Sequence, residues 1–129
     1  MGSPTEAETV VRQFCDAFEK HDAEALRPFL AEDVVYHNIP MDPVVGVEAA
    51  VAFLAGFLGM CDRMVIDTKN LAVQDEVVLT ERVDTFTVGG KETALPVMGA
   101  FEVRDGKIVA WRDYFDMAQI TAAWGGGEG

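Results

Sequence analysis

The sequence has little positive charge. Its 129 residues include 10 Lys and Arg against 22 Asp and Glu, which gives a formal net charge of -12 at pH 7. Proteins bind nucleic-acid phosphates and acidic membrane surfaces largely through Lys and Arg, so this balance argues against both partners. The chain also lacks an apolar run of about 18 residues and an opening basic segment followed by an apolar one. We therefore expect no membrane span, no secretory signal and a cytoplasmic location.

Side chains that act as nucleophiles or metal ligands are also scarce. Ser3 is the only serine and lies in a predicted helix cap, which excludes a Ser-His-Asp triad on a G-x-S-x-G elbow. Cys15 and Cys61 lack C-x-x-C spacing and are expected to be small buried residues, although a nucleophilic Cys61 near His37 stays open. His21 and His37 lack H-x-x-x-H spacing, and no phosphate-binding glycine motif occurs. We expect no metal and no cofactor.

The residues that are present form a helical half followed by a strand half. The first half predicts an amphipathic helix capped at Ser3-Pro4-Thr5-Glu6, a short helix after Asp22, a strand around Tyr36 and a nearly all-apolar helix from Val47 to about Leu58. The second half predicts strands at 63–73, 76–88, 92–104 and 107–116, joined by turns at Gln74-Asp75, Gly89-Gly90 and Asp105-Gly106. A short helix from Met117 to Trp124 and a flexible tail at 125–129 follow.

This order of elements predicts one α+β domain over residues 1–129. Three to four N-terminal and flanking helices are expected to pack against a strongly curved, mixed β-sheet. Such a sheet wraps the helices into a cone with one open mouth.

Charged and polar residues occur on strand faces that are otherwise apolar. Because side chains alternate along a strand, three such faces are predicted: Val78, Arg82, Asp84 and Phe86; Val109, Trp111, Asp113 and Phe115; and Val34, Tyr36 and Asn38. Buried charges are costly to desolvate unless they are paired, so these residues are expected to meet. An exposed ion pair of Arg82 with Asp84 is the alternative. Three strands with this pattern favour a polar patch at the floor of an apolar pocket.

Three runs carry a resemblance to a known family. Tyr36–Pro40, Thr80–Asp84 and Gly106–Asp116 together resemble the limonene-1,2-epoxide hydrolase family. The resemblance implies the cone-shaped fold that this family shares with nuclear transport factor 2 (NTF2-like) and ketosteroid isomerase. It also implies that Asp113 is a general base and that Tyr36 and Asn38 help it to hold a water molecule.

Opening an epoxide with water needs a base for the water and an acid for the ring oxygen. Two buried carboxylates that share one proton can divide these roles if an arginine lies between them. Arg82 would be that bridge, and Asp84 would be the acid. Apolar walls for a terpene-like or cyclic aliphatic epoxide are expected from Leu54, Phe57, Leu58, Phe86, Leu95, Val97 and Phe115, with Met60 or Met64 beyond.

Two other functions stay open. A ketosteroid-isomerase-like or SnoaL-like isomerase or cyclase would use an aspartate to move a proton beside a carbonyl. A domain that only binds an apolar molecule would need the cavity alone. The resemblance also implies a homodimer, since curved sheets of this family commonly pair through their outer face. The mixed surface on the opposite face of the sheet would form that contact and consists of Leu79, Val83, Arg112 and Tyr114.

Overall fold

The computed structural model describes residues 4–123, so Ser3, Trp124 and the tail predicted at 125–129 lie outside the described residues. The α-helices are α1 (Glu6–Ala17), α2 (Val47–Met60) and α3 (Met117–Ala123). The strands are β1 (Leu30–Asn38), β2 (Val44–Val45), β3 (Arg63–Gln74), β4 (Val77–Val88), β5 (Lys91–Arg104) and β6 (Lys107–Tyr114). Between residues 4 and 123, no helix is both long and apolar enough to cross a membrane.

Helix α1 begins later than the sequence pattern predicted. Thr5, rather than Ser3, caps it: the Thr5 hydroxyl accepts a hydrogen bond from the backbone N–H of Glu8 at 3.1 Å. Pro4 therefore lies before the helix and not at its first position. Of the apolar residues that periodicity placed on one face, Val11, Phe14 and Phe18 are buried and Val10 is partly buried.

The short helix predicted after Asp22 is instead a pair of 3₁₀ turns, Ala23–Ala25 and Arg27–Phe29. Asp22 does cap the first turn, because its side chain accepts from the N–H of Glu24 at 3.0 Å. Pro28 explains why no α-helix forms, since proline has no N–H to continue the α-helical hydrogen bonds. A further 3₁₀ turn, Phe18–Lys20, follows α1.

The six strands form one sheet in the order β2-β1-β6-β5-β4-β3. The long strands pair antiparallel along the chain from β3 to β6, while β1 lies parallel to β6. The mixed sheet and the α+β class are thereby confirmed. One turn is shifted by a residue from its prediction: Asp75 and Glu76 form it, and Asp75 takes a φ of 54°.

A bulge in β6 changes which residues of that strand point inward. Glu102 pairs with Ala110 and Val103 pairs with Ile108, so Val109 has no partner on β5. Ile108 is fully buried and Val109 is only half-buried, so the prediction that Val109 shares the face of Trp111 was wrong. Beyond the bulge the alternation holds. Trp111 and Asp113 lie opposite Tyr36 and Asn38 of β1.

Candidate active site

Arg82 is the centre of the candidate site and is only 1% exposed, although it is the largest of the nearly fully buried side chains. Its Nε and Nη2 atoms donate to Asp84 Oδ1 and Oδ2 at 3.1 and 2.7 Å. Its Nη1 and Nη2 atoms donate to Asp113 Oδ1 and Oδ2 at 3.1 and 3.0 Å. The guanidinium therefore holds both carboxylates by two-point ion pairs.

The cluster places one fixed positive charge and two acids where little solvent reaches them. Burial raises the pKa of Asp84, against the opposing effect of the Arg82 charge. Burial alone would lower the pKa of Arg82, but the charges of Asp113 and Asp84 outweigh it and raise that pKa. With one proton between the two acids the cluster would be neutral, which is the state that costs least to bury.

Two further residues on neighbouring strands complete the setting of Arg82. Thr80 Oγ1 accepts from Arg82 Nη1 at 3.2 Å and donates to the backbone carbonyl of Gly99 at the same distance. Gly99 leaves the space that the guanidinium occupies. A Cβ placed there would overlap Arg82 Nη1 and lie 2.7 Å from Asp113 Oδ1. A side chain at position 99 is thus incompatible with this geometry.

Neither Thr80 nor Gly99 was predicted from the sequence as a site residue. Thr80 lies two residues before Arg82 on the same strand face, so alternation alone could have found it. Gly99 faces both Thr80 and Asp113 in the strand register, and that contact becomes visible only when the pairing is known.

The predicted polar residues of β1 lie beside the cluster. The Tyr36 hydroxyl donates to Asn38 Oδ1 at 3.4 Å. The Tyr36 ring stacks on Trp111 with centroids 4.0 Å apart, and the Trp111 N–H donates to Asp113 Oδ1 at 2.9 Å. Burial, together with the charge of Asp113, raises the pKa of Tyr36, so its phenol stays neutral. Tyr36, Asn38, Asp84 and Asp113 all line one cavity.

That cavity has a volume of about 220 Å³ and mostly apolar walls. Of the predicted wall residues, it is lined by Leu54, Phe57, Phe86, Leu95, Val97 and Phe115, and by both Met60 and Met64. Leu58 lies elsewhere: it is buried in the core and does not line the cavity. The wall also contains residues that were not predicted to line it, namely Phe18, Met41, Phe53, Ile66, Trp111, Met117 and Ile120.

The cysteines and histidines lie outside the cluster. Burial raises the pKa of Cys15 to about 12, and burial with the charge of Asp62 raises that of Cys61 to about 11, so both thiols stay protonated. Cys61 Sγ donates to the Phe57 carbonyl, and His37 Nε2 bonds to the Met41 carbonyl at 2.9 Å. Within residues 4–123, no three His, Cys, Asp or Glu side chains are grouped to hold a metal ion.

Residues 5–125 match the family model of the limonene-1,2-epoxide hydrolase catalytic domain. The epoxide hydrolase EphG of Mycobacterium tuberculosis is 33% identical over 109 residues, which are 83% of this chain and 71% of that protein. A solved epoxide hydrolase from M. tuberculosis that is described as similar to limonene-1,2-epoxide hydrolase superposes with a TM-score of 0.81 at 30% identity. The superposition covers 92% of this chain and 88% of the other.

The fold also occurs with other proposed activities. A predicted SnoaL-like polyketide cyclase from Jannaschia sp. CCS1 superposes with a TM-score of 0.82 at 19% identity and covers 95% of both chains. At that identity the likeness concerns the fold alone.

Proposed function

This chain belongs to the limonene-1,2-epoxide hydrolase family, and we propose that it adds water to apolar epoxides to give vicinal diols without a cofactor. The observation that carries the proposal is the buried arrangement in which Arg82 bridges Asp84 and Asp113. Both carboxylates also line an apolar cavity, so they can reach a molecule bound there. Acid and base are thereby held together at one site.

Asp113 acts as the general base and Asp84 as the general acid. Asp113 takes a proton from a water molecule while the water oxygen bonds to an epoxide carbon. The ring C–O bond breaks in the same step, and its oxygen takes the proton of Asp84. The raised pKa of Asp84 keeps that carboxyl protonated at higher pH than an exposed aspartate. After diol release the proton returns from Asp113 to Asp84, and the cycle restarts.

Tyr36 and Asn38 hold the attacking water for Asp113. The Tyr36 proton points to Asn38 Oδ1, so the phenol oxygen is left to accept a hydrogen bond. The amide nitrogen of Asn38 can donate one. A water molecule between them then gives one proton to Asp113 and donates a hydrogen bond through the other to the Tyr36 oxygen. It accepts a hydrogen bond from Asn38 with one lone pair and directs the second lone pair to the substrate.

The walls define the substrate class. They are aliphatic and aromatic apart from the four polar residues at the cluster, so binding energy comes from apolar contact. The volume of about 220 Å³ is below the roughly 300–1,000 Å³ typical of sites for drug-sized ligands. A terpene-like or small cyclic aliphatic epoxide fits this description.

The other two functions make less use of the cluster. An isomerase or cyclase of the SnoaL kind needs one aspartate base and an oxyanion donor, and has little use for an arginine between two carboxylates. A domain that only binds an apolar molecule gains nothing from burying three ionisable groups, which is costly.

Turnover of limonene oxide and cyclohexene oxide tests the proposal. We expect the parent to form diol, and Asp84→Asn and Asp113→Asn each to lose about 10²–10⁴-fold in kcat. Asp67→Asn is the matched control, because Asp67 is exposed on β3 and pairs only with Lys69 among the described residues. Absence of diol from the folded parent would reject the function. Diol formation that survives both substitutions would reject the mechanism.

A further inference from the structure

The two oxygens of Asp113 are held unequally. Oδ1 accepts from Arg82 Nη1 at 3.1 Å and from Trp111 Nε1 at 2.9 Å. Oδ2 accepts from Arg82 Nη2 at 3.0 Å and, within residues 4–123, from no other donor. A carboxylate oxygen offers about two lone-pair directions, so both are occupied at Oδ1 and one is left at Oδ2. A proton taken from water is therefore directed to Oδ2.

The indole that occupies Oδ1 is held firmly in place. Trp111 is 3% exposed and stacks on Tyr36 and on Phe101, with interplanar angles of 13° and 17°. Phe14 meets the same ring edge-on at 5.0 Å. In close-packed surroundings such a ring has no alternative position, so Nε1 stays aimed at Asp113. The ring also fixes the spacing between the base and the Tyr36 phenol.

We propose that Trp111 is a positioning residue for the base: its N–H occupies Oδ1 of Asp113 and so reserves Oδ2 for the attacking water. The inference rests on the proposed epoxide hydrolysis. The water proton passes to Oδ2, the water oxygen bonds to the epoxide carbon, and the released ring oxygen takes the proton of Asp84. Without the indole donor, Oδ1 also has a free lone pair, so water can bind to either oxygen of Asp113. A smaller fraction of the bound water then lies beside Tyr36 and Asn38.

A purely structural role is the competing explanation, because a buried indole N–H needs a hydrogen-bond partner wherever it lies. The two roles differ in what they change. A structural loss loosens the cavity, which alters substrate binding and thermal stability. Loss of positioning lowers kcat and leaves binding by the apolar walls nearly intact.

Trp111→Phe keeps an aromatic ring in the stack and removes the donor. With limonene oxide we expect kcat to fall about ten- to a hundredfold, the size of effect that a small misplacement of reacting groups produces. We expect KM to change by less than about threefold, since uniform binding is retained. The control is Leu26→Ala, which removes a fully buried core side chain that does not line the cavity and leaves the rings around Trp111 in place. It should lower Tm and leave kcat near the parent value.

A second measurement depends neither on turnover nor on the folding of Trp111→Phe. The chain has two tryptophans, so its indole N–H spectrum contains two signals, and Trp124→Phe assigns them. We expect the Trp111 signal to lie downfield in the parent and to move upfield in Asp113→Asn. A signal that stays in place in the folded variant would overturn the inference.

Failure of the inference and failure of the function are distinguishable. A folded parent that makes no diol from either epoxide contradicts the proposed function. An active parent whose Trp111→Phe variant retains the parental kcat contradicts only the role of Trp111. A fall in kcat with an equal rise in KM, reproduced by Leu26→Ala, would assign Trp111 to structure.

Discussion

At the scale of single residues, the site depends on an arginine that is expensive to bury. Arg82 is tolerated because Asp84, Asp113 and Thr80 accept its hydrogen bonds. Removing one partner of a buried ion pair typically costs about 3–5 kcal/mol, since an uncompensated charge is left behind. Gly99 contributes only empty space, which the guanidinium fills. Arg82 and its three acceptors therefore depend on one another and on the absence of a side chain at Gly99.

Gly99→Ala tests the requirement for that space. The added methyl group would overlap the guanidinium, so we expect a loss of about 1–3 kcal/mol in the free energy of unfolding and loss of diol formation. Urea unfolding and the epoxide assay measure the two effects. Gly56→Ala is the control, because its Cβ meets nothing within 4 Å on α2. That change should stabilise the protein by about 0.5–1 kcal/mol and keep activity; equal behaviour of the two variants would contradict the account.

The raised pKa of Asp84 predicts how stability varies with pH. The folded state holds the Asp84 proton more tightly than the unfolded chain does. In the unfolded chain the pKa of an aspartate is about 3.9. The resulting stabilisation is complete below the unfolded pKa and is lost as pH rises through the folded pKa. Asp84→Asn lacks this titration. Thermal melts from about pH 4 to pH 8 should therefore show the parent losing Tm relative to Asp84→Asn as pH rises, and a constant difference would refute this.

At the scale of elements, α2 forms one wall of the cavity and part of the core at once. It is apolar nearly all round, so sequence periodicity could not decide which side faces the cavity. Leu54 and Leu58, one turn apart, are buried to similar degrees, at 2% and 3% exposure. Only Leu54 lines the cavity. The helix therefore offers a matched pair of substitutions.

Leu54→Ala and Leu58→Ala should separate cavity shape from stability. Each removes a buried leucine and should cost about 2–5 kcal/mol in the free energy of unfolding. Only Leu54→Ala enlarges the cavity, so only it should raise kcat/KM for limonene oxide relative to the smaller cyclohexene oxide. The two epoxides competing in one reaction give that ratio directly. An equal change of the ratio in Leu58→Ala would contradict the assignment of the wall.

Much at this scale could be predicted from the sequence, because in a long strand with strict alternation only one of the two faces is apolar enough to turn toward the core. Arg82, Asp84 and Asp113 share a face since their neighbours Phe86 and Trp111 must be buried. The Val109 bulge could not be predicted, because an unpaired residue depends on the register between two strands and leaves no local signal.

The role of Gly99 was hidden for a similar reason. It comes from atoms on three different strands, which sequence spacing does not relate. Leu58 was predicted to line the cavity because a helix that is apolar on all sides has no periodic pattern to show which side faces the cavity.

At the scale of the whole molecule, the sheet has a mixed outer face that the core does not cover and that carries exposed apolar residues beside the Arg112–Glu102 ion pair. Leu79, Met98 and Tyr114 lie on the adjacent strands β4, β5 and β6 and are 46%, 52% and 49% exposed. Exposed apolar groups on neighbouring strands are typical of protein contact surfaces. We propose that this face joins two copies of the chain in a homodimer, and that the predicted Val83, Arg112 and Tyr114 belong to the contact.

Leu79→Glu tests the dimer. A charge inside the contact must be desolvated without a partner, so we expect the variant to be monomeric where the parent is dimeric. Light scattering after size exclusion gives the masses. Lys91→Glu, at the exposed start of β5, should leave the mass unchanged. A monomeric parent, or a variant that remains dimeric, would contradict the proposal.

The central claim is that Asp113 activates water and never bonds to the substrate. A single turnover in H₂¹⁸O, with the protein in excess over limonene oxide, measures this most directly. Because the attacking oxygen comes from solvent, we predict that the first diol formed carries one ¹⁸O atom. A first diol without label, whose second oxygen came from an aspartate carboxyl group, would show a covalent intermediate and contradict the account.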